Sequence, residues 1–240
     1  MHRRDLLAFA LAGWFPFSLF ARGPSIAGID FDAIQRGTDR RRYIWIHGNE
    51  PTARDVLRDH MTRFAGRAFF IRSNDRNVTV NGGKLDPNRM FSRMGAEQNL
   101  RTLNPNWQPR QIQSVLDRLD SDREGFLRRI LPHPGGLIVA LHNNGPGYSV
   151  KDEIAISNAV ALNDKEHPDE FMLCSTPADF AILANSRFNA LLQNRPQGED
   201  DGSLSRLCAA RVVRYVNIEA AHNNRDGQKR MLDWLELALP

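Results

Sequence analysis

His47 and Glu50 stand three residues apart, directly after the apolar run Tyr43-Ile44-Trp45-Ile46. A strand that ends in His-x-x-Glu can deliver an imidazole and a carboxylate from one tight turn to one point. A second apolar run, Leu137-Ile138-Val139-Ala140-Leu141, ends in His142. Two histidines and one carboxylate form a catalytic type of zinc set that leaves a fourth position open. A third run, Val212 to Ile218, ends in Glu219, a carboxylate that can serve as a general base. Open α/β sheets build their sites where strand ends converge.

The elements that must position these residues follow from periodicity. Thr52 to about Phe64 has helical spacing, with Ala53, Val56, Leu57, His60, Met61 and Phe64 on one face, Thr52 as cap and Asp55 in the capping box. Ala68 to Ile71 reads as a strand, and Val78 to Gly83 as a strand entering a turn, with a small hairpin in view. Leu85 to Asn106 reads as loop. Pro109 begins a long helix to about Ile130. Asn143 to Tyr148 has loop composition, and Phe171 to Cys174 is a strand. Pro177 to Gln193 is a helix, Asn194 to Ser205 an exposed loop, and Gln228 to Leu239 a last helix. Asp32 to Arg42 is a polar lead-in. Strands alternating with helices predict an α/β layered sheet in one domain.

Composition narrows the function classes. The 240-residue chain is 41% hydrophobic and 25% charged, ordinary for a soluble domain. A net charge of +4 mildly favours acidic partners. The basic residues are scattered without an aromatic stripe, which argues against nucleic acid. Arg3-Arg4 precede an apolar stretch, Leu6 to Phe20, too short to span a bilayer comfortably. They predict a signal peptide over residues 1–27 of the twin-arginine type, cleaved after Ala27 or at Ala21. Residues 28–240 would then be a periplasmic or secreted domain with no stable membrane partner. Cys174 and Cys208 can pair or stay free, and they do not form a CxxC zinc motif. No Gly-x-Ser-x-Gly elbow and no Gly-rich phosphate loop occurs.

Taken in order, His47-Gly48-Asn49-Glu50, Asp86-Pro87-Asn88-Arg89-Met90-Phe91, His142 within Leu-His-Asn-Asn, and Glu219 within Asn-Ile-Glu-Ala form a set. It resembles the zinc carboxypeptidase family, most of all the succinylglutamate desuccinylase/aspartoacylase branch, over about Tyr43 to Ala220. The resemblance implies a mixed, mostly parallel central sheet flanked by helices, and one zinc ion. It implies His47, Glu50 and His142 as ligands and Glu219 as the base that activates water. It implies Asn88 and Arg89 as the clamp for a substrate carboxylate. Arg offers a planar fork for that purpose. A further carbonyl-polarising cation would come from Arg72, Arg76 or Lys84, and Tyr148 is the tyrosine on a loop near the metal. Asp86 either pins its own loop through Arg89 or orients a ligand from behind. His60 reads as core, and His222 as a plain loop residue.

The expected activity is cleavage of an amide bond in a peptide or acyl-amino acid with a free carboxylate. With export, a metallocarboxypeptidase acting on cell-wall peptides suits best. The alternatives are an N-acyl amino acid deacylase and a non-catalytic peptide-binding relative.

Overall fold

The runs that end in His47, His142 and Glu219 are neighbouring strands of one sheet. The computed structural model describes residues 18–37 and 40–240. The paired arginines and most of the apolar stretch 6–20 lie outside the described residues. In chain order the strands and helices are β1 (Ser18–Ile26), β2 (Ile29–Arg36), β3 (Arg41–Trp45), α1 (Pro51–Met61), β4 (Gly66–Ile71), β5 (Val78–Val80) and β6 (Gly83–Leu85). There follow α2 (Arg93–Leu103), α3 (Pro109–Ile130), β7 (Leu137–Asn144), α4 (Val150–Ile154), β8 (Ala159–Ala161) and β9 (Phe171–Cys174). The chain continues through α5 (Pro177–Leu183), β10 (Asn189–Leu192), α6 (Leu204–Ala210), β11 (Arg214–Ala221) and α7 (Arg225–Ala238).

Nine strands form the sheet in the order β1-β2-β4-β3-β7-β11-β9-β10-β8. The four central strands β4, β3, β7 and β11 are parallel. So is the β9–β10 pair. The joins β1–β2, β2–β4, β11–β9 and β10–β8 are antiparallel. The fold is therefore α/β with a mixed sheet, its parallel character concentrated at the centre and balanced by antiparallel flanks. Every residue of β7 is buried. Side chains alternate between faces along a strand, so both faces of the sheet are covered there. The helix α1 packs on β3, β4 and β7 and against α7, which in turn packs on β11.

Several boundaries differ from the periodicity. The polar lead-in contains β2: Ile29, Phe31 and Ala33 are buried while Asp30 and Asp32 are more exposed, a period of two masked by charge. The helix α1 begins at Pro51 with Glu50 at its N-cap. Thr52 caps nothing there; its hydroxyl accepts from the Asn223 amide at 3.1 Å. The stretch 85–106 holds α2, capped by Ser92. Its buried face is only Gly95, Ala96 and Leu100, too small to stand out as a stripe. The expected helix 177–193 stops at Leu183, and Asn189–Leu192 is a buried strand. A short apolar run fits either period, and pairing with β9 decides it. The segment 194–205 leads into α6.

The expected boundary at residue 27 falls in the turn between β1 and β2, where Ala27 and Gly28 have φ of +51° and +85°. Cleavage there or at Ala21 would remove all or part of the edge strand β1, which packs against α3. Cys174 and Cys208 are buried free thiols. Burial pushes Cys174 up to about 12, so it is an inert core group.

Candidate metal centre and its cavity

The His47–Glu50 turn exists because its backbone can lie flat on the neighbouring loop. A Cβ on Gly48 would sit 2.3 Å from the Ser73 carbonyl oxygen, so only glycine fits. The Gly48 amide donates to Asp75 O at 3.1 Å, and the Glu50 amide to His47 O at 3.1 Å. The Trp45 indole N–H donates to Glu50 O at 2.8 Å and closes the turn. Strand β7 runs through His142, and β11 through Glu219. Their parallel register pairs Glu219 with His142. Residues paired across adjacent strands project on the same side, so the base candidate stands beside a ligand candidate.

Three donor atoms converge. His47 Nδ1 lies 2.9 Å from Glu50 Oε1 and 3.1 Å from His142 Nδ1. His142 Nδ1 lies 3.3 Å from Glu50 Oε2. Zinc–ligand bonds of about 2.1 Å in tetrahedral array place donors roughly 3.4 Å apart. The observed spacing fits one small ion. All three side chains are buried, and they are the one such set among the described residues.

The surrounding groups orient this set. His47 Nε2 lies 2.8 Å from Asp86 Oδ1. Asp86 thus faces a ligand candidate, not Arg89, and it also accepts from the Asn88 amide at 2.8 Å. The Asn143 amide donates to Glu50 Oε2 at 3.1 Å. Gln228 Nε2 donates to the carbonyl of His142 at 2.8 Å and steadies the end of β7.

The electrostatics ask for positive charge at the centre. Burial disfavours an ionised Glu50, but the charge and hydrogen bonds of His142 and His47 outweigh it. They hold its carboxyl well below the usual carboxylate range. Burial likewise disfavours charge on His47, yet Asp86 and Glu50 raise its pKa. Burial also opposes an ionised Asp86, but the His47 hydrogen bond and charge bring it down to about 2, with help from Arg76. In contrast Glu219 is pushed up to about 7, first by burial and then by the charge of Glu50. The positive charge of His142 and an Asn217 Nδ2 hydrogen bond at 2.9 Å act the other way.

A cavity of about 420 Å³ opens onto this centre. His47, Glu50, His142, Glu219, Asn88, Arg89, Arg76 and Tyr148 all line it, so the structure brings these eight candidates together. Of the three cations considered for the carbonyl, only Arg76 is here. Its Nη1 lies 3.3 Å from Glu50 Oε1 and its Nη2 3.4 Å from Asp86 Oδ2. Arg72 pairs with Asp32 on the surface, and Lys84 is an exposed residue of β6. Asn88 Oδ1 accepts from the Leu204 amide at 3.1 Å. Arg89 Nη1 donates to Asn88 O at 3.1 Å and lies 3.2 Å from Asp201 Oδ2. The loop that carries Asp201 is locked on by Gly202, whose φ is +77° and whose Cβ would meet Arg89 O at 2.4 Å. His60 is fully buried core beside Tyr43, as its helical face implied.

Glu153, Gln193, Asp201 and Arg206 also line the cavity. They come from α4, the end of β10, and the loop and helix around α6. No spacing rule ties them to the histidines, and only the folded chain brings them in.

Asp86→Ala removes the acceptor behind His47. We expect metal affinity to fall about 10- to 100-fold, as for other carboxylate–histidine pairs behind a metal. Competition with a chelator measures it, and an unchanged affinity would deny Asp86 that part.

No model of a known protein family and no curated protein matches the chain. Among solved structures it is similar to the succinylglutamate desuccinylase from Chromobacterium violaceum, at 16% identity and a TM-score of 0.47, over 93% of this chain and 74% of that one. It is similar to the product-bound ectoine utilization protein EutE (DoeB) from Ruegeria pomeroyi, at 13% identity and a TM-score of 0.46, over 94% and 69% of the two chains. A proposed metallopeptidase from Shewanella denitrificans OS217 follows at 12% identity and a TM-score of 0.45, over 92% and 85%.

Proposed function

We propose that this protein is a zinc-dependent hydrolase that cleaves an amide bond in a small substrate bearing a free carboxylate. The observation that carries this is the convergence of His47, Glu50 and His142 in one cavity with Glu219 and Arg89. His47 and His142 would hold the ion through Nδ1, and Glu50 through its carboxylate. Zinc held there supplies Lewis acidity and makes water acidic enough to ionise near neutral pH. Glu219 takes the proton from the attacking water and returns it to the departing amide nitrogen. Its raised pKa suits both duties, because a base and acid works best near the operating pH. Arg76 offers a cation beside the ligands for the carbonyl oxygen. Arg89 presents its remaining donors to the substrate carboxylate, with Asn88 beside it, and Asp201 holds the fork in place.

The finer assignment is a metallocarboxypeptidase trimming short peptides such as those of the cell wall. The confined volume of the cavity suits an N-acyl amino acid as well, which keeps a deacylase as the second form of the same reaction. Export of the chain belongs to the same proposal. Arg3-Arg4 and the apolar stretch that follows them support it.

Elemental analysis of the purified protein, paired with a panel of muropeptides and acyl-amino acids, tests the proposal. About one zinc per chain with turnover of one substrate class is expected. Bound zinc without hydrolysis of any would make the protein a binder instead. Arg89→Ala should raise KM about tenfold or more for carboxylate substrates, the scale of a lost charged hydrogen bond. Amidated analogues should change little, and equal losses for both would remove the clamp.

A further inference from the structure

Five carboxylates line the cavity walls or stand directly behind them, and most have a cation. Glu50 and Asp86 face the histidines and Arg76. Asp201 has Arg89. Glu219, the proposed base, has the neutral Asn217 amide. The fifth is Glu153, and its side-chain partners are neutral too. The Tyr148 hydroxyl donates to Oε1, and Gln193 Nε2 donates to Oε2 at 2.7 Å. Among the described residues no ion pair involves Glu153. Arg206, which also lines the cavity, donates to the backbone carbonyls of Pro196, Gln197 and Gly198. Lys151, on the same helix, is exposed and does not line the cavity.

We propose that Glu153 is a specificity-determining residue that receives an ammonium group of the substrate, so that the preferred substrates end in a diamino acid. The claim rests on the hydrolase reading above and names its substrate class. Two neutral donors orient the Glu153 carboxylate without neutralising it. An ionised carboxylate has about four acceptor positions, and two are used, so two remain for an N–H donor. The donors are themselves anchored. Gln193 is buried and also contacts Ser157 Oγ at 3.3 Å, and the Tyr148 ring packs on Phe171 at 5.9 Å. Ile156 and Leu173 also line the cavity and offer apolar surface to methylenes. The cavity thus places a carboxylate clamp at Arg89 and a negative charge at Glu153. An amino acid with a free carboxylate and a side-chain ammonium answers both charges. A neutral side chain would leave Glu153 desolvated and without a counter-charge, which is the kind of mismatch that gives large discrimination.

The test uses zinc-loaded protein and matched probes. N-acetyl-lysine and N-acetyl-alanyl-lysine are compared with the same compounds of 2-aminoheptanoate, which carries a methyl where lysine has its ammonium. We expect kcat/KM to favour lysine by about 10- to 100-fold in the native protein. In Glu153→Gln that ratio should fall to within about threefold of unity, the charge being gone while the shape and the hydrogen-bonding partners remain. A merely structural Glu153 would lower both probes together and keep their ratio, which would overturn the proposal. A native ratio near unity would overturn it without any variant. If neither probe class is hydrolysed, the hydrolase reading fails separately. Calorimetric titration with free lysine and free 2-aminoheptanoate then decides. Tighter lysine binding that Glu153→Gln abolishes supports Glu153, and equal binding sinks it.

Discussion

Glu219→Gln should lower turnover at least about a hundredfold while zinc content stays that of the native protein. Glutamine keeps the size of the side chain and can still pair with Asn217. It cannot take a proton. The three proposed ligands are untouched, so elemental analysis should read the same metal content. Loss of metal in this variant would make Glu219 a ligand, and full activity would remove it from the mechanism. The pH profile gives a second readout. Glu219 is pushed up to about 7 by burial and by Glu50, and only its ionised form accepts a proton. The rate should therefore fall as pH drops through its pKa. A bound cation favours the ionised form, so this acid limb lies at or below about pH 7. The limb should be missing in Glu219→Gln.

His142→Ala should abolish the proposed metal binding and with it activity. The ring is buried and stands beside the other two donors, its Nδ1 at 3.1 Å from His47 Nδ1 and 3.3 Å from Glu50 Oε2. Two remaining protein ligands cannot supply the set of three that holds a catalytic zinc. The backbone ladder between β7 and β11 does not depend on this side chain, so the sheet should persist. Thermal unfolding separates the two losses. A ion that binds only the folded state raises Tm with its concentration. The native protein and Glu219→Gln should show that rise with added zinc, and His142→Ala should not. Unchanged zinc content in His142→Ala would refute the ligand assignment.

The chemistry of the centre was legible because it is written locally. The apolar runs before His47, His142 and Glu219 mark strands, and His47 and Glu50 share one turn. Asp86-Pro87-Asn88-Arg89 is likewise a single turn, with Asp86 accepting from the Asn88 amide. The long helix α3 begins and ends where its proline and its apolar stripe place it. Other elements were hidden for physical reasons. Charge masks the alternation of β2, the small residues of α2 leave no stripe, and β10 is too short to have a period.

By itself, then, the amino-acid sequence determined which side chains could bind a metal, move a proton and grip a carboxylate, and that strands and helices would alternate. Such features depend on residue type and on neighbours a few positions away. The tertiary structure alone decided that β11 lies beside β7 in the register that sets Glu219 next to His142. It alone brought Asp201 to Arg89, and Glu153 with Gln193 to the cavity wall. Those pairings join segments up to about a hundred residues apart. They are selected by the packing of the whole sheet and its helices, a choice that no local pattern encodes.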